Sequence, residues 1–430
     1  MSASPSRITR RLESASPTAF AVYAISASFC TYFCMYAFRK PFAAGNFEGD
    51  FGLLGLDLKT GLVISQIVGY GLSKYIGIKV CSEIARAQRG RALVGLVLFA
   101  EFALVLVGLA PGSLMAVGLF LNGMALGMIW GLVVWYLEGR RTSELLLAGL
   151  SCSFIIASGV VKDVGRWLMG LGVPEPWMPA ATGLCFLPLY LLSVWQLDQL
   201  PPPGDEDVAA RIERSPMVGV ERIAFIRRFL PGLLSLFVLY FFLMAFRDFR
   251  DNYAIEIFQE LGYGQTPALF TKTEVPIAFA VMFVMSLLVL VKDNRRGLLG
   301  AFAIMLSGML MLGGGTALHS AGVIDGFSWM MVVGAGTYFA FVPFNSVLFD
   351  RMIASTGAVG TAVFAIYVAD ALGYTGSVCI QLYKDLGQPN LSFLGFFERL
   401  TWSLAVLGSV LLTAAAAYFW SRGRSTEGSR

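Results

Sequence analysis

The chain has 430 residues, of which 57% are hydrophobic and only 14% charged. A soluble domain averages about 25% charged residues, and one this apolar would have to expose much of its surface as oily patches. The formal charge of +4 is small, and its basic residues are interleaved with acids, so nothing points to a nucleic-acid partner.

Apolar stretches of about 18 residues or more recur along the chain, each long enough to cross roughly 30 Å of hydrocarbon as a helix. No strand-like alternation is visible, so the spans are expected to be helices that satisfy their own backbone groups. Arg7, Arg10 and Arg11 precede the first run, 18–38, which is long and lacks a small-residue cleavage site; it reads as an uncleaved span. Further spans are expected at 60–80, 92–110, 114–136, 145–169 and 177–197. The stretch Leu200 to Arg228 opens with Pro201-Pro202-Pro203 and carries mixed charges, as a linker does. Six more spans follow at 229–249, 267–291, 298–318, 328–349, 357–382 and 394–420.

The expected fold is therefore an all-α polytopic membrane protein of about twelve transmembrane helices. Its expected domains are an N-terminal bundle at 18–199 and a C-terminal bundle at 229–420, flanked by segments 1–17, 200–228 and 421–430. The distribution of Lys and Arg gives the orientation. Arg86, Arg89, Arg91, Arg140, Arg141, linker arginines 211, 214, 222, 227 and 228, Lys292, Arg295, Arg296, Arg351, Arg422 and Arg424 fall on the side of the N-terminal arginines. Lys59 and Lys384 are the clearest exceptions. Both termini and the linker are expected to be cytoplasmic, in a bacterial inner membrane. Cys30, Cys34, Cys81, Cys152, Cys185 and Cys379 lie in or beside apolar runs without metal-ligand spacing, and read as small hydrophobes.

The two halves repeat. Tyr32-Phe33 with Ala37-Phe38-Arg39 ends the first span, and Tyr240-Phe241 with Ala245-Phe246-Arg247 ends the seventh, 208 residues later. Glu138-Gly139-Arg140 ends the fourth span, and Asp350-Arg351 is expected to end the tenth. A six-plus-six repeat around a cytoplasmic linker is the layout of the major facilitator superfamily, whose substrate site lies at the midplane.

Ionisable residues within spans are costly, about 2.5–3.5 kcal/mol each at the helix centre on insertion scales, and default to functional candidates. They are Arg39, Lys40, Lys74, Glu101, Lys162, Asp163, Arg166, Arg247, Asp248, Arg250, Asp251, Lys272, Glu274, Asp370, Glu398 and Arg399. Several admit a structural reading. Arg247–Asp248 and Arg250–Asp251 are candidates for mutual neutralisation, Lys162 and Arg166 flank Asp163, Glu101 has nearby lysines, and Glu398–Arg399 reads as a membrane-edge pair. Arg39 and Arg247 differ because the repeat makes them equivalent. Guanidinium carries a permanent charge and a planar fork of donors matched to phosphate or carboxylate oxygens. One arginine from each half, bridging an anion, would supply the closure that alternating access needs.

At these residues the chain resembles the organophosphate:phosphate antiporters of the superfamily, which include the bacterial glycerol-3-phosphate and hexose-phosphate transporters. The resemblance is carried by Tyr36-Ala37-Phe38-Arg39-Lys40-Pro41-Phe42, by Tyr70-Gly71-Leu72-Ser73-Lys74-Tyr75-Ile76, and by Leu121-Asn122-Gly123 with Gly127-Met128 and Trp130. It implies that Arg39 and Arg247 grip a phosphoryl group with Lys74 nearby, and that an organic phosphate exchanges for inorganic phosphate. Tyr36, Lys40, Asn122, Lys162 and Arg250 complete the expected substrate set. Asp370, Glu274, Lys272, Glu101, Asp163 and Asp248 are expected to balance charge or couple. Glu83, Arg89, Arg91, Glu138, Arg140, Asp350 and Arg351 are expected to latch the cytoplasmic helix ends.

The chain departs from the glycerol-phosphate pattern, which has a histidine in helix five. Its only histidine, His319, is expected in an interfacial loop. Asn122 and Asn345 hold near-equivalent places in the repeat and suit either helix–helix bonding or a sugar contact. No nucleotide, dinucleotide, metalloprotease or Ser-His-Asp motif is present, so neither an enzyme, a metal nor a cofactor is expected. The protein is expected to be a monomer acting on a small anion. Two rival readings stand beside exchange: a proton-coupled symporter of another organic anion, and a transporter-like sensor.

Overall fold

The computed structural model describes residues 6–52, 55–138, 140, 142–204, 219–356 and 362–427. Arg141, Arg211 and Arg214 lie outside the described residues, as does the side chain of Glu83. The chain divides into two compact units, Met1–Glu213 and Arg214–Arg430. Among the described residues it is helical, apart from one β-bridge between Asp50 and Asp57.

The first unit opens with a short helix α1 (Arg7–Glu13) and the first span, α2 (Pro17–Tyr36). Ser16 caps α2 by accepting from the Ala19 amide, and Pro17 sits in the first turn, where its missing N–H costs nothing. The helix stops at Tyr36, short of the expected end near residue 38, because Pro41 lacks an amide to donate and restricts the residue before it. A turn carries Arg39 and Lys40 into a 3-10 segment, Pro41–Ala44. Then come α3 (Leu58–Glu83), α4 (Arg86–Leu109), α5 (Met115–Leu126), α6 (Ile129–Leu137), α7 (Ser143–Gly170) and α8 (Met178–Asp198). The fourth span is thus two helices, α5 and α6, broken at Gly127-Met128.

The second unit holds α9 (Gly219–Asn252), α10 (Ala254–Glu260), α11 (Leu269–Val289), α12 (Asn294–Ser320), α13 (Gly326–Ser346), α14 (Leu348–Thr356), α15 (Ala362–Leu382) and α16 (Phe393–Glu427). At the position equivalent to Pro41 this half carries Phe249, and α9 runs on through Arg247 to Asn252. Pro276 and Pro343 lie inside α11 and α13. Asp350 and Arg351 do not end the tenth span as expected: the helix stops at Ser346, and both residues ride on the separate helix α14. His319 is not in a loop; it lies in the last turn of α12, its ring stacked on Trp329 at 4.8 Å.

Among the described residues, ten helical segments are long and apolar enough to cross a membrane. The two remaining expected spans, α3 and α15, are helices of 26 and 21 residues. Within each unit the same pairings recur. In the first, α2 packs on α7, α3 on α5, and α4 on α8; in the second, α9 packs on α15, α11 on α13, and α12 on α16. The repeat in sequence is therefore a repeat in packing.

Close approach between α3 and α5 depends on glycine. A Cβ at Gly69 would lie 2.2 Å from the Phe120 carbonyl oxygen, and one at Gly123 would lie 2.3 Å from that of Gln66. No side chain fits there, so backbone meets backbone, the usual device for packing helices where lipid supplies no hydrophobic drive.

Candidate functional site

In the first unit the end of α2 leaves carbonyl groups without helical partners, and buried groups of that kind must be satisfied elsewhere. Asn122 of α5 donates to the Phe38 carbonyl at 2.9 Å and the Ala100 carbonyl at 3.2 Å. Gln66 of α3 donates to the Arg39 carbonyl at 3.1 Å and to Asn122 Oδ1 at 2.9 Å. Asn122 is fully buried and bonded on both its nitrogen and its oxygen. It is placed as a brace between three helices and the turn, not as a substrate contact.

The braced turn presents Arg39. Its guanidinium lies over the Tyr70 ring of α3, 3.9 Å from the centroid. Lys74, one turn further along α3, is 5.7 Å from the same ring. Tyr32 packs edge-on against Trp130 at 4.8 Å and against Tyr36 at 5.5 Å, so an aromatic wall continues along α2. Lys40 and Lys162 are buried, while Asp163 is half-buried.

In the second unit Arg247 also sits over an aromatic ring, Phe341 of α13, at 4.2 Å. Its partner is Asp248, whose Oδ1 accepts from Arg247 at 2.7 and 3.2 Å, and whose Oδ2 accepts from Ser377 at 2.6 Å. Phe341 stacks on Tyr240 at 5.5 Å. Tyr240 donates to Asp370 at 2.7 Å and accepts from Asn345 at 3.3 Å. Arg247, Asp248, Asp370 and Asn345 are therefore tied together through one aromatic pair.

Arg250 is placed differently from the expectation. It points into the bundle, forms an ion pair with Glu274 at 2.9 Å, and donates to the Met330 carbonyl at 3.1 Å. A Cβ on Gly334 would lie 2.4 Å from its Nη2, so α13 is cut away to seat it. Glu274 is thereby a structural partner across α9, α11 and α13, while Lys272 is exposed two residues away. The two exceptions to the charge rule are also internal. Lys59 donates to the carbonyls of Ala43 and Gly45 at 3.2 and 2.8 Å. Lys384 lies over Phe393 at 4.6 Å and 3.9 Å from Asp385.

The expected latch residues hold contacts within their own units. Arg89 lies over Trp135 at 5.0 Å and donates to its carbonyl at 3.2 Å. Arg140 lies over Phe20 at 4.6 Å and donates to the Pro201 carbonyl at 2.5 Å. Arg351 donates to Asn294 at 3.0 Å and to the Lys292 carbonyl at 3.4 Å. Arg91, Glu138 and Asp350 are exposed.

Tyr70, Gln66, Phe341, Tyr240 and Ser377 were not identified as site residues from the sequence. Tyr240 was visible as the repeat partner of Tyr32, and Tyr70 as part of the same segment as Lys74. The other three carry no sequence signal, since only the packing shows what they face.

A profile described as a family of unknown function (DUF5690) matches residues 41–422. No curated protein matches the chain. Among solved structures, it is similar to a bacterial homologue of the human drug peptide transporters PepT1 and PepT2, at TM-score 0.61 and 16% identity, covering 94% of this chain and 98% of that one. It is similar to a D-xylose-proton symporter at TM-score 0.60 and 14% identity, covering 91% and 96%. It is similar to the nucleoside transporter NupG at TM-score 0.60 and 13% identity, covering 93% and 99%. At such identities the likeness carries the fold alone.

Proposed function

This chain belongs to the family of unknown function DUF5690, and we propose that it is a secondary transporter of an organic anion, exchanging an organic phosphate for inorganic phosphate by alternating access. One observation carries the reading. The two arginines that the repeat makes equivalent, Arg39 and Arg247, each lie over an aromatic ring of a neighbouring helix. A ring under a guanidinium attracts it by about 0.5–2 kcal/mol, depending on exposure, and occupies its face. The in-plane N–H fork remains the part suited to a phosphoryl or carboxylate group. Lys74 adds a point charge beside Arg39.

The two sites differ in charge, and this suits exchange. Arg39 has two further cations, Lys40 and Lys74, in or next to its turn and facing helix, and Arg247 is bonded to the carboxylate of Asp248. In the second unit an arriving phosphate would compete with Asp248 for Arg247. Such a ligand is bound firmly enough to drive closure, and a built-in carboxylate remains to displace it on release. The fold's relatives support transport as the class of activity, and the resemblance at Arg39, Lys74 and Asn122 supports phosphate.

The test is counterflow in proteoliposomes. Unlabelled phosphate is trapped inside and labelled phosphate is supplied outside, with and without competing organic phosphates. Rapid label entry, blocked by one organic phosphate, is the expected result. No entry through protein shown to be folded would overturn the phosphate reading.

A further inference from the structure

Among the described residues of the first unit, Glu101 is a buried carboxyl without a hydrogen-bond partner. It lies in the membrane-spanning helix α4 and is only 7% exposed, and neither carboxyl oxygen has a hydrogen-bond partner. The wall it faces is apolar: a Cβ on Gly183 of α8 would lie 2.2 Å from Glu101 Oε2 and 2.8 Å from the Phe38 ring. The glycine makes room for a carboxyl and supplies it with nothing.

Among the described residues, the ionisable groups on the elements around α4 do not bond to the Glu101 carboxyl. On α6 and α8, Tyr136 and Asp198 bond to each other, and Tyr190 donates to the Leu93 carbonyl at 3.0 Å. Cys185 of α8 is exposed, and Cys34 of α2 is buried. Glu175, in the turn before α8, accepts from the Asn46 amide at 2.6 Å. Arg39 lies over Tyr70. None of them is hydrogen-bonded or ion-paired to Glu101, and an ionised carboxylate buried without a donor or counter-ion is not sustained. In this conformation the side chain is a neutral carboxylic acid.

Its position gives that proton a consequence. The residue before it, Ala100, shares the Asn122 amide with Phe38, the residue before Arg39. The Phe38 ring also packs at the same glycine as the carboxyl. Losing the proton would place a charge against the turn that presents Arg39, and that state is tolerable only if the helices part and admit water.

We propose that Glu101 is a proton-carrying site that links anion movement through this protein to a proton. The carboxylic acid releases H⁺ to water when its side opens and regains one from water on the other side, with no other bond made or broken. This inference rests on the transport reading and says what drives it.

The experiment uses the full chain in proteoliposomes, with labelled inorganic phosphate as probe. Two rates are compared: counterflow at equal pH, and accumulation driven by an inward proton gradient. One proton per anion on a gradient of one pH unit supports about tenfold accumulation. The expected result is that wild-type protein accumulates phosphate in this way, while Glu101→Gln keeps counterflow within about twofold and loses the accumulation. Wild-type protein that shows counterflow but no accumulation under the gradient, or a Gln variant that still accumulates, would overturn the proton link and leave exchange standing. Absence of counterflow in the wild type would remove the transport reading itself. Should Glu101→Gln fail to fold, the infrared C=O stretch of a protonated carboxyl in the wild type decides. Its absence at neutral pH, where the geometry requires it, would overturn the inference.

Discussion

Arg39 is held by its backbone and aimed by its neighbours, and the two can be separated by mutation. Asn122→Ala would remove the side-chain donor to the Phe38 and Ala100 carbonyls and one of the two acceptors of Gln66. Each buried polar group so orphaned costs about 1–3 kcal/mol. The expected outcome is a large fall in melting temperature together with lost exchange, measured by thermal unfolding in detergent. Arg39→Lys and Arg247→Lys should behave otherwise. Charge is retained and the fork is lost, so unfolding should be close to wild type while counterflow drops by a factor of about a hundred or more, as when a charge-assisted bidentate contact is lost. Wild-type exchange in both lysine variants would sink the proposed grip. Arg250→Ala is a third case. Removing one partner of a buried pair costs about 3–5 kcal/mol, and the damage should appear as instability of the protein.

At the scale of helices, glycine and proline mark where the chain departs from simple spans. Gly123→Ala would drive a methyl into the Gln66 carbonyl, an overpacking expected to cost about 1–3 kcal/mol, measurable as a lower melting temperature. Caps matter outside the membrane. Asp325 caps α13, accepting from the Ser328 amide at 3.0 Å and from the Tyr263 hydroxyl at 2.9 Å. The bonds from Ser328, then that from Tyr263, hold its carboxyl below the ordinary aspartate value. A depressed value means that its contribution to stability is complete above the unfolded value and is lost as pH falls through the folded one. Asp325→Asn should therefore flatten the acid limb of the melting temperature against pH.

The apolar runs and the repeat were legible because they are one-dimensional facts, run length and spacing, whereas the early stop of α2 before Pro41 was not read from the sequence. The partners of Asn122 and Arg250 were not, because a buried amide or guanidinium in sequence is the same letter whether it meets a ligand or another helix. Glu101 read as the partner of a nearby lysine for the same reason, and the structure gives it none.

For the whole molecule, on the proposed reading the two arginines would select an anion and the buried carboxyl would supply a driving force, so the two experiments bear on different parts of one proposed cycle. The Asn122 brace has a mechanical meaning within the first unit. It joins the turn after α2 to α3, α4 and α5 by four short bonds, and all four converge on one buried amide and its neighbour Gln66. A pull on Arg39 is therefore not absorbed by a floppy loop. It is borne by three spans at once, like a tether bolted to a frame, and a small ligand held by Arg39 would acquire leverage over helices far longer than itself.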